Sequence, residues 1–108
     1  MEAVLNGPFG RIILEPVVVT IGNTSDNRLV VSNYTVSSHH AEIRPEERSY
    51  SIIDLGSAYG TFVNDQRLDW NVSYLLNPGD TILIGDTRFI YEMRETPQEG
   101  TAGEADTS

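Results

Sequence analysis

The sequence predicts an all-β fold, a sandwich or barrel of short antiparallel strands. Many short segments are rich in β-branched and aromatic side chains, and several of them alternate apolar with polar residues. Turn-forming residues separate these segments at intervals of roughly eight to twelve residues, which is typical of sandwiches and barrels. No window carries apolar residues at the three- and four-residue spacing of an amphipathic helix. A helical fold is therefore not expected.

The predicted strands can be placed along the chain from the apolar runs and the turn signals between them. They are residues 11–15, 17–21, 29–31, 41–43, 50–52, 61–63, 66–68, 81–84 and 87–92. Asn64-Asp65 is expected to form a tight turn, and residues 45–48 (PEER) read as a longer hairpin loop.

The last stretch of the sequence differs in composition from the rest. Residues 95–108 contain Pro, Gly, Ala, Thr and acidic residues, and no aliphatic side chain larger than alanine. Such a segment cannot bury enough apolar surface to offset the entropy of ordering it. Residues 1–94 are therefore predicted to form the domain and residues 95–108 a disordered acidic tail or linker.

Composition and charge exclude several classes of function. The chain has 16 acidic and 7 basic residues and a net charge of -9, which disfavours binding to nucleic acid or to an anionic membrane. All of its basic residues are arginine, so a lysine-dependent phosphate loop and Schiff-base chemistry are excluded. The absence of cysteine excludes thiolate metal sites and suits a reducing compartment. With no visible targeting segment, a cytoplasmic location is expected.

Four sequence blocks occur in order along the chain. They are Ile21-Gly22 after a strand, residues 36–41 (VSSHHA), residues 54–64 (DLGSAYGTFVN), and residues 78–80 (PGD) followed by Ile84-Gly85. Together they closely resemble the forkhead-associated (FHA) domain, over about residues 10–92. One block alone would be weak evidence, whereas four in order at matching spacing are a specific signal.

The resemblance implies an eleven-stranded, two-sheet β-sandwich that binds a phosphothreonine peptide with loops at one end. The loops would be residues 22–28, 32–39 and 55–60. Such a module is not an enzyme and needs no cofactor or metal. Alternation and the family register together predict a core of Val19, Ile21, Val30, Ile43, Ile52, Phe62, Ile82, Ile84 and Phe89.

The match to the family becomes partial at the ligand-binding positions. Ser37 aligns with the serine that binds phosphate in the family. Asn23 stands where the family usually has a phosphate-binding arginine, and Ser38 where it has a basic residue. Tyr59 replaces the asparagine that bonds the peptide backbone, and Ala58 replaces the Ser or Thr often found before it. The motifs that form the scaffold therefore match the family, whereas most residues at the ligand-binding positions differ from it.

Arg28 completes the set of candidate binding residues, because its side chain could fold back towards Ser37 and restore a cation. His40 matches a family histidine whose main role is to brace the loops. The other predicted bracing positions are small or short polar residues of the same motifs, namely Gly22, Gly56, Ser57, Gly60 and Thr61.

Two functions follow from this pattern. The first is recognition of a phosphothreonine-containing partner, with weakened or altered phosphate binding; a phosphorylated threonine of the chain's own tail is one conceivable ligand. The second is a phosphate-independent protein–protein or oligomerisation module, in which Tyr59 would be an aromatic contact. The two are distinguished by whether Arg28 or an acid such as Asp26 faces Ser37.

Three sharper interpretations have simpler explanations. Ser37, His40 and Asp54 could be written as a hydrolase triad, but nothing in the sequence resembles a nucleophile elbow or an oxyanion loop. His39 and His40 are adjacent on an extended segment and would point to opposite faces, so they are not expected to chelate one metal ion. Trp70 could be an exposed aromatic residue of an interface, but it is interpreted as a hydrophobic cap near the Leu68 strand.

Overall fold

Residues 2–95 are described by the computed structural model, and they form eleven β-strands without a helix. The strands are β1 (Glu2–Gly7), β2 (Gly10–Leu14), β3 (Val19–Gly22), β4 (Leu29–Val30), β5 (Ala41–Pro45), β6 (Tyr50–Asp54), β7 (Thr61–Val63), β8 (Gln66–Arg67), β9 (Tyr74–Leu75), β10 (Thr81–Ile84) and β11 (Thr87–Arg94). The predicted tail, residues 95–108, lies outside the described part except for Glu95, and so do its threonines.

The strands form two sheets that face each other. One sheet has six strands in the order β2-β1-β11-β10-β7-β8, and the other has five in the order β4-β3-β5-β6-β9. Neighbouring strands are antiparallel except for the parallel pair β3 and β4. The all-β sandwich expected from the sequence is confirmed. Within residues 2–95 there is no helix that could span a membrane.

The core lies between the sheets and contains most of the residues predicted for it. Those that are buried are Val19, Ile21, Ile43, Ile52, Ile82, Ile84 and Phe89. The prediction was wrong for Val30, which is 40% exposed, and Phe62 is only half-buried. In both places the neighbours on either side point inward instead: Val31 joins the core beside Leu29, and Thr61 and Val63 are buried. Because side chains alternate along a strand, a one-residue error inverts the face.

The first strand was not predicted, although it is central to its sheet. β1 pairs with β2 on one side and with β11 on the other, and it buries Ala3, Val4 and Leu5. The short strand β9 was also missed. Conversely, the predicted strand at residues 17–21 begins only at Val19, because Val17 and Val18 are exposed and the Val17 amide turns back to the Glu15 carbonyl, 2.7 Å away.

The predicted turn at Asn64-Asp65 is present as a tight hairpin. Both residues have positive φ, 51° and 70°, as a two-residue type I′ turn requires. The Asn64 side chain accepts a hydrogen bond from the Thr81 amide at 3.0 Å and donates to Asp80 at 2.9 Å. In the longer hairpin, β5 continues through Pro45 and the connection is closed by the Glu46 amide, which donates to the Ser49 carbonyl at 2.8 Å.

Candidate functional site

Ser37 lies where the loops between β3 and β4, β4 and β5, and β6 and β7 meet at one end of the sandwich. Its carbonyl accepts a hydrogen bond from the Asn23 amide at 3.1 Å. Its own amide donates to His40 Nδ1 at 3.1 Å, and its Oγ accepts from the Ala58 amide at 3.1 Å. The hydroxyl hydrogen donates to no group among residues 2–95, so the half-buried side chain keeps one donor for a ligand.

His40 is fully buried and connects two of the loops. Its Nδ1 accepts from Ser37, so the ring proton is on Nε2, which donates to the Gly60 carbonyl at 2.8 Å. Burial lowers the pKa of His40, and this outweighs the opposing effects of the Gly60 carbonyl and of Asp54. The neutral histidine therefore links loops 32–39 and 55–60 through hydrogen bonds to Ser37 and Gly60.

Asp54 holds the loop between β6 and β7. Its Oδ1 accepts from the hydroxyls of Ser57 at 2.5 Å and Thr61 at 2.7 Å, and its Oδ2 from the amides of Gly56 and Ser57 at 3.0 and 3.2 Å. Burial alone raises the pKa of Asp54, but these hydrogen bonds together lower it below its ordinary value. Gly56 and Gly60 enter and leave this turn with φ of 89° and 93°, where a side chain would be strained.

The loop after β3 packs directly against the Ser37 segment. A Cβ at Gly22 would lie 1.9 Å from the Ser38 carbonyl oxygen, so only glycine fits there. The buried side chain of Asn27 donates to the same carbonyl at 2.7 Å and to the Thr24 carbonyl at 3.0 Å. Asn27 was not identified from the sequence, because nothing distinguishes one asparagine in a polar loop from another until the partner loop is in place.

The charged side chains near these loops are paired with each other. The Asp26 carboxylate accepts from the Thr24 hydroxyl at 2.5 Å and lies 2.9 Å from His39 Nε2. These two hydrogen bonds lower the pKa of Asp26. The Arg28 guanidinium lies 3.8 Å from Glu15, and none of the contacts described for Ser37 involves it. The expected return of Arg28 to Ser37 is therefore not seen.

The remaining candidate residues surround Ser37 at the surface. Asn23, Ser38, Ala58 and Tyr59 are all exposed. Asn23 and Ala58 contact Ser37 through their backbone amides, which leaves the side chains of this group at the rim.

An aromatic pair stands beside this rim. The rings of Tyr34 and Tyr59 are 6.3 Å apart at an interplanar angle of 84°, an edge-to-face contact. Tyr34 is 85% exposed and Tyr59 is 53% exposed. Tyr34 was missed in the sequence, although its place in an apical loop is the signal that could have found it. Large exposed aromatic surface of this kind is enriched in protein interfaces.

The geometry does not form a catalytic triad. The His40 ring nitrogens are both used by backbone groups, and the Asp54 oxygens bind Ser57, Thr61 and Gly56, so neither His40 nor Asp54 acts as a base on the Ser37 hydroxyl. Across residues 2–95 no group of three or more acidic or histidine side chains could hold a metal ion. Trp70 is 70% exposed, so its interpretation as a hydrophobic cap was wrong.

Comparison with known proteins gives a consistent set of relatives. The model of the FHA domain family matches residues 19–85. The glycogen accumulation regulator GarA of Mycobacterium tuberculosis is 33% identical over 81 residues, 75% of this chain and 48% of that protein. The oxoglutarate dehydrogenase inhibitor of Corynebacterium diphtheriae is 32% identical over 93 residues, 84% of this chain and 63% of that protein. The chain thus spans about half the length of the first curated relatives it matches.

Solved structures of FHA domains and FHA-containing proteins share the fold of this chain and part of its sequence. Mycobacterium tuberculosis EmbR in complex with a low-affinity phosphopeptide has a TM-score of 0.80 and 31% identity, covering 89% of this chain and 25% of that chain. A structure from work on phosphothreonine-dependent FHA domain interactions has a TM-score of 0.78 and 26% identity, covering 89% of this chain and 100% of that chain.

Proposed function

Because the chain belongs to the FHA domain family, we propose that it is an interaction module that recognises a phosphothreonine-containing protein, with weakened or altered phosphate recognition. Solved relatives bound to a phosphopeptide or studied for phosphothreonine-dependent interactions support this proposal. The relatives named as a regulator and an inhibitor support a role in binding a partner rather than in catalysis. The absence of cysteine suits a partner in the reducing cytoplasm.

The observation that carries the proposal is the Ser37 hydroxyl. The scaffold uses both Ser37 backbone groups and one lone pair of Oγ, and it leaves the hydroxyl hydrogen free at the meeting point of three loops. A hydroxyl held in this way can donate to a phosphate oxygen without a rotamer search, because its position is fixed before the ligand arrives.

The replaced positions explain why the binding is expected to be weak. Hydrogen bonds to charged groups contribute roughly 1.5–3 kcal/mol each, against about 1 kcal/mol for neutral pairs. With Asn23 and Ser38 in place of two cations, phosphate affinity is expected to be lower by about ten- to a hundredfold. Arg28 does not offset this loss in its contact with Glu15.

A second candidate function has its own observation. The exposed edge-to-face pair of Tyr34 and Tyr59 offers a rigid aromatic surface that needs no phosphate. A phosphate-independent protein–protein contact at this rim is the alternative account, and it predicts equal binding to phosphorylated and unphosphorylated partners.

The test is a binding screen of the wild-type chain against a degenerate phosphothreonine peptide library and the matched unphosphorylated library. Selected peptides are then measured against Ser37→Ala, with exposed Ser32→Ala in the same loop as the control. Loss of the Ser37 hydroxyl should weaken phosphopeptide binding by about tenfold or more. Ser32→Ala should leave it unchanged and should melt near the wild-type temperature. Ser37→Ala also removes the acceptor of the exposed Ala58 amide, so its melting temperature should fall by at most a few degrees. Equal loss in the two variants would argue against Ser37 as the centre.

A further inference from the structure

The outer face of the six-stranded sheet carries a second set of groups that the loop site does not use. Inward-pointing residues such as Leu5, Phe89 and Ile82 lie in the core, so the alternate positions of the same strands point outward. Cross-strand partners share a face, and the register therefore maps which outward side chains are neighbours.

Three exposed arginines lie on the half of this face that adjoins the binding loops. Arg11 is paired with Asn6, Arg88 with Leu83, and Arg67 with Phe62. None of these three forms an ion pair with a carboxylate among residues 2–95. Because no carboxylate in the described part of the chain neutralises these three guanidinium groups, they leave local positive charge on a chain whose net charge is -9.

Apolar side chains fill the space between these arginines. Phe62 and Leu83 are half-buried neighbours on β7 and β10, and Ile90 on β11 is 36% exposed. An apolar centre flanked by arginine is the composition of a protein interface, since arginine is enriched there and lysine is depleted.

The acidic residues of this face lie in its other half and are already engaged. The Glu92 carboxylate accepts from the Asn6 side chain at 3.0 Å, and Glu2 is paired with Arg94. The outward strand positions of the half that contains Arg11, Arg67 and Arg88 carry no carboxylate, although the Glu92 side chain reaches Asn6 at its border.

This half-face is continuous with the loop site. A Cβ at Gly60 would lie 2.9 Å from Arg67 Nε and 3.1 Å from the Phe62 ring, so both side chains pack beside the loop that carries Tyr59. The turn between β10 and β11 also reaches this loop, because the Gly85 amide donates to the Gly60 carbonyl at 3.2 Å.

We propose that the arginine-bearing half-face (Arg11, Arg67 and Arg88 around Phe62, Leu83 and Ile90) binds an acidic stretch of a protein partner. Charge complementarity selects aspartate- and glutamate-rich segments, and the apolar centre takes their interspersed apolar side chains. The net negative charge of the whole chain argues against nucleic acid as the occupant. This surface goes beyond phosphothreonine recognition and does not depend on Ser37.

The test is a titration of the full chain with a short polyglutamate peptide that contains no phosphothreonine, followed by two-dimensional amide NMR at low ionic strength. Shifts are expected in β7, β8, β10, β11 and the start of β2, and they should diminish at physiological salt. The double variant Arg11→Gln/Arg88→Gln should weaken binding by about fivefold. The control Arg44→Gln/Arg48→Gln has the same net charge and should change it by less than about twofold.

Several results would overturn the proposal. These are shifts at no residue or only in the loops around Ser37, equal weakening by the two double variants, or tighter binding of single-stranded DNA than of polyglutamate at the same amides. Amide shifts that follow protein concentration without peptide would instead assign the face to a second copy of the chain. Phosphothreonine binding is measured separately with Ser37→Ala, so failure of one proposal leaves the other standing.

Discussion

His40 and His39 are adjacent in sequence and have opposite environments. His40 is fully buried between Ser37 and Gly60, whereas His39 is exposed and contacts Asp26. His40 therefore stabilises the scaffold, whereas His39 lies at the surface, although the two side chains are chemically identical. The difference arises from the turn before β5: His39 lies in that turn at the surface, whereas His40 follows it and faces Ser37 and Gly60.

The neutral state of His40 makes stability depend on pH. Its pKa is lowered in the folded state, so the unfolded chain binds a proton more readily and the free energy of unfolding decreases as pH falls below about 6.5. The lowered pKa of Asp54 adds a second loss only below about 3.8. Thermal melts of the wild type should therefore show a decline between pH 6.5 and 5.

The neighbouring histidine provides the control for this prediction. His39→Gln should keep the decline in melting temperature with falling pH, because the buried ring is unchanged. His40→Gln should melt at a lower temperature but with a flatter pH dependence in this range. If the decline in melting temperature with falling pH disappeared in His39→Gln and persisted in His40→Gln, the assignment of this pH dependence to His40 would be contradicted.

Single residues of the site could be predicted from the sequence only where a motif marks them. Ser37, His40, Gly22 and Gly56 were selected as candidates in this way, and the structure places them in or beside the three loops, with Ser37 bonded to His40 and Gly56 bonded to Asp54. Asn27 and the true direction of Arg28 could not be found, because their roles depend on partners in other segments. Tyr34 could have been suspected from its place in an apical loop, but its contact with Tyr59 could not. Contacts between distant loops leave no pattern within either loop.

At the level of elements, alternation was sufficient for most of the longer strands, with β1 as the exception, and insufficient for the shortest. In Thr61–Val63 the sequence favours Phe62 as the buried residue, but Thr61 points inward, where its hydroxyl satisfies the Asp54 carboxylate. A strand of two or three residues contains too little alternation to fix its register. β1 was missed for a related reason, because its position is determined by pairing with β11 at the far end of the chain.

The hairpin turn between β7 and β8 offers a test at this level. Asp65 has a φ of 70°, which glycine adopts without strain. Asp65→Gly should therefore raise the free energy of unfolding by a few tenths to about 1 kcal/mol in chemical denaturation.

The preceding residue is the matched comparison, since Asn64 also has positive φ but uses its side chain. Asn64→Gly removes the hydrogen bonds to Thr81 and Asp80 and should destabilise the chain by about 1–2 kcal/mol. If both glycine substitutions stabilised the protein, the Asn64 hydrogen bonds would not be contributing to the hairpin.

At the scale of the whole molecule, the sandwich is a rigid support that holds three loops at one end. The packing of two sheets against each other requires apolar residues at alternate strand positions and turns between the strands. Both features leave local patterns in the sequence, and this is why the fold class could be predicted. The ligand specificity could not, because the replaced positions 23, 38, 58 and 59 lie at the exposed rim, where packing imposes nothing.

The extent of the domain can be tested by truncation. We propose that residues 96–108 contribute nothing to folding, since they have no large apolar side chain to bury. A chain ending at Glu95 should melt within about one degree of the full chain. The earlier cut after Met93 would remove Arg94, which ends β11 and pairs with Glu2, so it should lower the melting temperature. A drop of several degrees in the chain that ends at Glu95 would show that the tail docks.

The most direct test of the central claim compares Asn23→Arg with the wild type, using fluorescence anisotropy of one phosphothreonine peptide and its unphosphorylated form. If the loops bind phosphate through Ser37 and lack only the usual cations, the wild type should prefer the phosphorylated peptide. Asn23→Arg should then tighten that binding by about tenfold, because a planar, bidentate cation returns beside the phosphate. Absence of phosphopeptide binding at millimolar concentration, with no gain in Asn23→Arg, would contradict the claim and favour the phosphate-independent contact at Tyr34 and Tyr59.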